Sequence, residues 1–304
     1  MNKYLYAYEA LASILTKEEI LLDEPMKNHT WFEIGGRADV LVMPDSVDKL
    51  VKIMNYISTQ QIPTFLIGNG SNLLVKDGGI RGIVIKTDRI SGIHVRGSEI
   101  TVECGALLED ISTRAYEEGL TGFEFACGIP GTLGGAVFMN AGAYDGEMSF
   151  VLKEVRVITP ELQVMTVKKE DLELGYRTSV IKTKNYVVLD AVLSLEKGSK
   201  EEIKEKIEDL TKRREDRQPL EFPSAGSTFK RPTGHYAGKL IQDAGLKGYQ
   251  VGGAQVSEKH SGFVINKDHA EARDVLNLIS YIQSTVMDKF NVELCTEVLI
   301  VGED

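Results

Sequence analysis

Cysteine is scarce: Cys104, Cys127 and Cys295 are the only three in 304 residues. Their number is odd, their spacing wide and no CxxC pair occurs, which excludes a disulfide framework and a cysteine zinc site and points to reduced thiols in a cytoplasmic protein. The five histidines, His29, His94, His235, His260 and His269, fall at no metal-ligand spacing, so no metal is expected. Long apolar runs are missing as well. The start, MNKYLYAYEALASILTKEEI, is broken by Glu9 and has no small-residue cleavage site, so neither a signal peptide nor a membrane span is expected. Positive charge is in deficit, with 35 basic against 45 acidic residues and a formal net charge of −10. That balance argues against a protein that binds nucleic acid through overall charge, and an anionic ligand must be met by local cations and backbone amides.

What is present describes an ordinary globular chain, 42% hydrophobic and 26% charged, long enough for two or three packed units. Leu11, Ile14, Leu15 and Leu22 recur at helical spacing and predict a first helix over 5–22. A strand in RADVLV, a helix through Leu50, Met54 and Ile57, and a buried strand IPTFLIG follow. GIVIKT, GIHVRG and EITVECG read as an antiparallel meander. A helix through Leu107, Leu108, Ile111 and Ala115 and three strands, VLKEVRVITP, LQVMTVKKEDL and NYVVLDAVLSL, carry the chain to about residue 197. Next comes a charged helix with Ile203, Ile207 and Leu210 on one stripe, stopped by Pro219. The remainder predicts a helix near HYAGKLIQDAG, strands at GGAQVS and SGFVIN, and a helix over 270–290 with Val275, Ile279, Ile282, Val286 and Phe290 in register. A final strand, CTEVLIVG, closes the chain.

Three stretches carry chemistry. FLIGNGSNLLVKDGG runs a strand into a GxG loop, but Leu73 replaces the third glycine of a dinucleotide fingerprint and a turn follows instead of a helix. What survives is a loop whose N–H groups can cradle an anion, or a plain turn. GIPGTLGGAVFMNAGAYDGE has glycines at 128, 131, 134, 135, 142 and 146, dense enough to lay backbone against a flat or phosphorylated ligand; GGAVFMNAG equally has the apolar content of a short buried helix. EFPSAGSTFKRPTG sets Ser227 among small residues and follows it with Lys230 and Arg231. TGHYAGKLI lacks the upstream glycine and following Ser/Thr of a P-loop.

Taken together, IGNGSNLLV, GIPGTLGGAVFMNAGAY, YRTS, RQPLEFPSAGSTFKRP, AGKLIQDAGLKG, GGAQVS and TEV resemble the UDP-N-acetylenolpyruvoylglucosamine reductase family, from about Lys27 to Val301. The compact spacing is similar to its type II branch. The resemblance implies an α+β fold: an FAD-binding region of two α+β subdomains of the vanillyl-alcohol-oxidase (PCMH) type, then a smaller α/β substrate-binding domain. On this basis 1–26 is an N-terminal helical segment, 27–197 the FAD-binding domain and 198–304 the substrate domain. Asp145 departs from the glycine that family members commonly have there, which leaves the form of that turn open.

The implied reaction is the NADPH-dependent, FAD-mediated reduction of UDP-N-acetylglucosamine enolpyruvate to UDP-N-acetylmuramate for peptidoglycan, with hydride delivered from flavin N5 to C3. By the resemblance Ser227 gives the proton to C2, Arg177 holds the substrate carboxylate and the developing enolate, and Glu297 is the third catalytic residue. Gly68, Asn69, Gly70, Ser71 and Asn72 would face the FAD pyrophosphate. Gly128, Ile129, Pro130, Gly131 and Thr132 would lie along the cofactor, as would Gly134, Gly135 and Ala136 and, further on, Asn140, Ala141, Gly142 and Ala143. Tyr176, Arg177, Lys230, Lys239 and Gln242 are the expected substrate contacts, with Arg213, Arg214 and Arg217 ranked last among the cations. The expected partner is the small-molecule substrate alone, without nucleic acid or membrane, and a monomer is favoured. Two other readings stay open here: a different flavin oxidoreductase of the same superfamily, and a non-catalytic nucleotide-sugar-binding protein.

Overall fold

The two central strands of the first sheet are buried on both faces, and that explains their apolar runs. In the computed structural model, which describes Tyr4 and residues 6–304, strands Ile20–Pro25, Arg37–Val42, Ile80–Lys86 and Thr64–Ile67 lie side by side in that order. The first pair is antiparallel and the other two pairs are parallel. Val40, Val42, Ile83 and Ile85 pack with Leu50, Ile53 and Ile57 of helix Val47–Gln60, while Ala38, Leu41 and Val84 pack with Met26, Ile67 and Val75. Strands covered on both sides read as continuous apolar runs without alternation.

This sheet corrects two expectations. The helix expected over 5–22 is only Ala7–Ala12; residue 5 lies outside the described residues. Thr16 N–H donates to Glu19 Oε2 at 2.7 Å in a reciprocal cap, the chain turns, and Ile20–Pro25 becomes a strand paired with Arg37–Val42. The end of the N-terminal segment is thus a strand of the first sheet, while the short helix before it packs Ala7 and Leu11 into the main core. GIVIKT does not join the meander either. Its strand lies between Arg37–Val42 and Thr64–Ile67, because it is buried on both sides and the meander strands on one.

The second sheet is antiparallel, ordered Val164–Lys168, Leu152–Ile158, Val187–Ser194, Glu99–Glu103 and Ile93–Arg96. Ile100 and Val102 point into the core and their neighbours do not, the period-two pattern of a half-covered sheet. Helices Leu108–Glu117 and Leu133–Phe138 supply Leu108, Ile111, Leu133 and Val137 to that core.

A smaller antiparallel sheet, Gln250–Val251, Ala254–Val256 and Val264–Asn266, packs with helices Ala237–Asp243 and Ala272–Phe290. Val275, Ile279, Ile282 and Val286 are buried in register, whereas Phe290, at the helix end, is exposed. Several connections bind this unit to the segments around the first sheet. Phe32, Ile34 and Leu74 enter its core, the strand Leu299–Val301 pairs in parallel with Leu73–Val75, and Asp77 caps its long helix. Helix Lys200–Arg217 packs on the other side, against the 120–127 region. There Glu124 is buried; burial alone would raise its pKa, but bonds from Thr121 Oγ1 at 2.6 Å, backbone N–H and Lys206 Nζ at 3.1 Å hold it below the usual value.

The Asp77 carboxylate accepts from Ala272 N–H at 2.8 Å and Arg273 N–H at 3.0 Å, across 195 residues of chain. Asp77→Ala should cost about 1 kcal/mol, as for a lost helix cap, and lower Tm by about 2–4 °C without changing the circular dichroism at 25 °C. A thermal melt of the variant beside the parent checks it.

Candidate functional site

Arg177 stands in a tight two-residue turn. Gly175 and Thr178 exchange both backbone bonds, at 3.1 and 3.3 Å, and Arg177 takes the left-handed conformation at φ +57. A side chain in that region is disfavoured and persists only where the surroundings enforce it. Asn140 does the enforcing: fully buried, it donates to the Gly175 carbonyl at 3.2 Å and to Glu147 at 3.1 Å, and accepts from Ser149 N–H at 2.9 Å. Its side chain is thus engaged within the protein, where it holds the turn.

Glu297 arrives from the other end of the chain. Its N–H donates to the Thr228 carbonyl and Lys230 N–H donates to the Cys295 carbonyl, both at 2.9 Å, so Thr228–Lys230 and Cys295–Glu297 run as a short antiparallel pair. Arg177 Nε then donates to Glu297 Oε1 at 2.6 Å, with side-chain exposures of only 21% and 11%. Glu297 is therefore paired, and the guanidinium keeps Nη1 without a bond among the described residues.

Ser227 lies one residue before this pair. Gly226 takes φ +72 to make the bend, and Thr228 anchors the far side through its N–H to Gly262 and its hydroxyl, which accepts from Val264 N–H. Ser227 itself is exposed and its hydroxyl has no hydrogen bond among the described residues. Lys230 is half-buried with no ion pair among the described residues. Arg231 lies over the Tyr236 ring at 4.0 Å, and its N–H donates to the Tyr176 hydroxyl at 3.1 Å. Tyr176 and Arg177 thus meet the serine loop, whereas Lys239 pairs with Asp243 on an exposed helix face and neither it nor Gln242 touches the Arg177 group.

The two glycine-rich loops meet each other. Asn69 Nδ2 donates to the Pro130 carbonyl at 2.9 Å, and a Cβ on Gly68 would fall 2.1 Å from Thr132 Oγ1. Gly70 takes φ +65, and a Cβ there would fall 2.2 Å from the His29 carbonyl oxygen. Gly134, Gly135 and Ala136 lie within helix Leu133–Phe138, so the short-helix reading of that stretch holds alongside the loop reading. Asp145 needs no glycine conformation, because Tyr144 takes the left-handed position at φ +51.

Between the loops runs a cleft of about 860 Å³ lined by Asn69, Ser71, Gly128, Ile129, Pro130 and Gly131, with Trp31 and Arg214. Thr132 Oγ1, next to Gly131 of the lining, is buried with no hydrogen-bond partner among the described residues. An orphaned hydroxyl, close-set glycines and an Arg without an ion pair among the described residues fit a bound anionic cofactor. A larger hollow, about 1140 Å³ beside the Asp77 cap, holds none of the expected site residues.

Arg214, ranked last from the sequence, forms part of the cleft wall, and burial lowers its pKa. Its signal was available: residue 214 continues the 203, 207, 210 stripe, and an Arg on an apolar stripe is out of place on a solvated face. Arg213 instead pairs with Asp209. Trp31, 48% exposed and joined through its N–H to Gly70, carried no comparable signal. His260 is half-buried against Phe263, and burial lowers its pKa.

Residues 218–301 match the family described as UDP-N-acetylenolpyruvoylglucosamine reductase, C-terminal domain, and residues 38–168 match the FAD binding domain. The chain is 55% identical over 304 residues to a UDP-N-acetylenolpyruvoylglucosamine reductase of Clostridium perfringens, covering 100% of both. It is similar in structure to the Thermus caldophilus UDP-N-acetylenolpyruvylglucosamine reductase, with TM-score 0.79 and 34% identity over 93% of this chain and 98% of that one. An alkyldihydroxyacetonephosphate synthase, 14% identical with TM-score 0.51 over 64% of this chain and 41% of its own, shares the fold alone.

The contact between the loops gives a direct test. Gly68→Ala drives a Cβ against Thr132 Oγ1, forces the loops apart and should weaken flavin binding by about tenfold in Kd, some 1.4 kcal/mol of affinity. Adding Thr132→Ala should restore part of it, as read from the flavin absorbance of purified protein.

Proposed function

The chain belongs to the UDP-N-acetylenolpyruvoylglucosamine reductase family, and from that premise we propose that it reduces UDP-N-acetylglucosamine enolpyruvate to UDP-N-acetylmuramate with NADPH as electron donor. The observation that carries this reading is the 2.6 Å Arg177–Glu297 bond, tied through Glu297 N–H and the Thr228 carbonyl to the loop of Ser227, which is exposed, has no hydrogen bond among the described residues and follows Gly226 in the lining of the cofactor cleft. When bound, FAD would supply the two-electron carrier between NADPH and C3 of the enolpyruvyl group.

The side chains manage the charge that this addition creates. Addition at C3 leaves an electron pair at C2, conjugated with the adjacent carboxylate. Arg177, steered by Glu297, presents its remaining N–H groups to that carboxylate and stabilises the enolate-like transition state. Ser227 then gives its hydroxyl proton to C2 and regains one from water, so one hydride and one proton saturate the double bond. A serine hydroxyl is a weak acid, but a carbanion is a strong base, and Arg177 and Lys230 nearby favour the transient alkoxide.

Lys230 is assigned to the UDP diphosphate as a point charge and Tyr176 to the wall of the substrate channel. Lys239, held by Asp243, and Gln242 are assigned outer contacts with the nucleotide. Arg214, Thr132 and the Gly68–Ser71 loop are assigned to the cofactor. The FAD-binding part is then assigned to 27–197, with strand Ile20–Pro25 joined to its sheet and Arg214 reaching its cleft from the following helix, and the substrate part to 198–304, in a cytoplasmic monomer.

Purified protein should be yellow and should oxidise NADPH only when the enolpyruvyl nucleotide sugar is added. NADPH oxidation indifferent to that compound would leave a different flavin oxidoreductase as the better reading, and a colourless protein that takes up no FAD would leave a binding protein. Ser227→Ala should lower substrate reduction by about 10²–10⁴-fold while NADPH still bleaches the flavin at the parent rate, followed by stopped-flow absorbance.

A further inference from the structure

We infer that Asn72 is a positioning residue that couples the cofactor loop to the catalytic carboxylate. This deepens the reading above and rests on Glu297 being catalytic. Asn72 ends the glycine loop 68–72 and was grouped with the cofactor contacts, but its side chain points elsewhere: Nδ2 donates to the Glu297 carbonyl at 3.2 Å. Its own carbonyl accepts from Leu299 N–H at 3.0 Å, and the next residues, Leu73–Val75, pair in parallel with Leu299–Val301. One residue therefore grips the strand on both sides of Val298.

The position of Glu297 is set by three bonds from three parts of the chain. Thr228 receives its N–H, Arg177 bonds its carboxylate and Asn72 holds its carbonyl. The first comes from the serine loop and the second from a strained turn. Only the third comes from the loop that carries Gly68, Asn69, Gly70 and Ser71, where Asn69 is bonded to Pro130 on the second glycine-rich loop. Without the amide, the carbonyl of Glu297 loses its side-chain donor, and the peptide can rotate by the few degrees that a 2.6 Å bond to Arg177 does not tolerate. Asparagine is suited to the task because it donates; an ionised aspartate of the same shape accepts only and would repel the carbonyl.

The experiment compares Asn72→Ala and the isosteric Asn72→Asp with the parent holoenzyme and Glu297→Gln, measuring flavin per chain, flavin reduction by NADPH, and reoxidation of reduced flavin by UDP-N-acetylglucosamine enolpyruvate. Both Asn72 variants should keep their flavin and reduce it within about twofold of the parent rate. Reoxidation should slow by about 10- to 100-fold in Asn72→Ala, in kcat with KM little changed, and at least as much in Asn72→Asp. Loss of flavin, equal slowing of both half-reactions, or loss of the fold in both variants overturns the proposal, because Asn72 would then serve the cofactor or the fold directly. A parent-like reoxidation rate in either Asn72 variant beside a slow Glu297→Gln overturns the coupling alone. A parent-like Glu297→Gln overturns the catalytic reading of Glu297 and the proposal with it.

Discussion

The bond between Arg177 and Glu297 spans 120 residues, and much of the architecture can be read as what is needed to make it. A 2.6 Å contact between two largely covered side chains requires both backbones to be located within a few tenths of an ångström. On one side that precision comes from the turn at Gly175–Thr178, kept in a disfavoured conformation by the buried amide of Asn140. On the other it comes from the docking of the last strand, Leu299–Val301, onto Leu73–Val75 of the first unit. The third unit is thus anchored by its final residues to the element that leads out of the cofactor loop.

The same economy governs the glycine-rich loops. Where two backbones must touch each other as well as a ligand, side chains are excluded by space and not only by conformation. Gly68 is a case of the first, with Thr132 Oγ1 where its Cβ would be, and Gly70 combines both. One polar atom is left over beside the cleft: Thr132 Oγ1 is buried without a partner among the described residues, which fits the cofactor proposed for that cleft.

Electrostatically, an acidic chain accommodates anions by local arrangement. With a formal net charge of −10 the surface repels them, and the attraction is confined to a few cations withheld from ion pairs. Arg177 is half committed to Glu297, Lys230 and Arg214 have no ion pair among the described residues, and Lys239, Arg213 and Lys206 are paired on helix surfaces. Burial disfavours the charge on Arg214 and so leaves it seeking an anion.

Local periodicity made the helices at 47–60, 108–117, 200–217 and 272–290 legible, because each has an apolar stripe that can be counted at 3.6 residues per turn. It failed at 5–22, where the apolar residues of a helix run into those of a strand without a break in spacing, and only pairing with Arg37–Val42 separates them. It failed again at 80–86, since a run buried on both faces carries no mark of which sheet it enters. For the site, residue types and their order were legible, a serine among small residues, an arginine after a tyrosine, a glutamate at the head of an apolar strand and two glycine-dense loops, and the roles proposed for them come from the family resemblance. What the tertiary structure alone decided was commitment. Asn140 and Asn72 have the composition of ligand contacts and are engaged with backbone carbonyls, Arg231 lies on Tyr236, and Arg214 turns inward. A polar side chain has the same bonding capacity wherever it stands in a sequence, and which partner it takes depends on atoms brought beside it from distant parts of the chain.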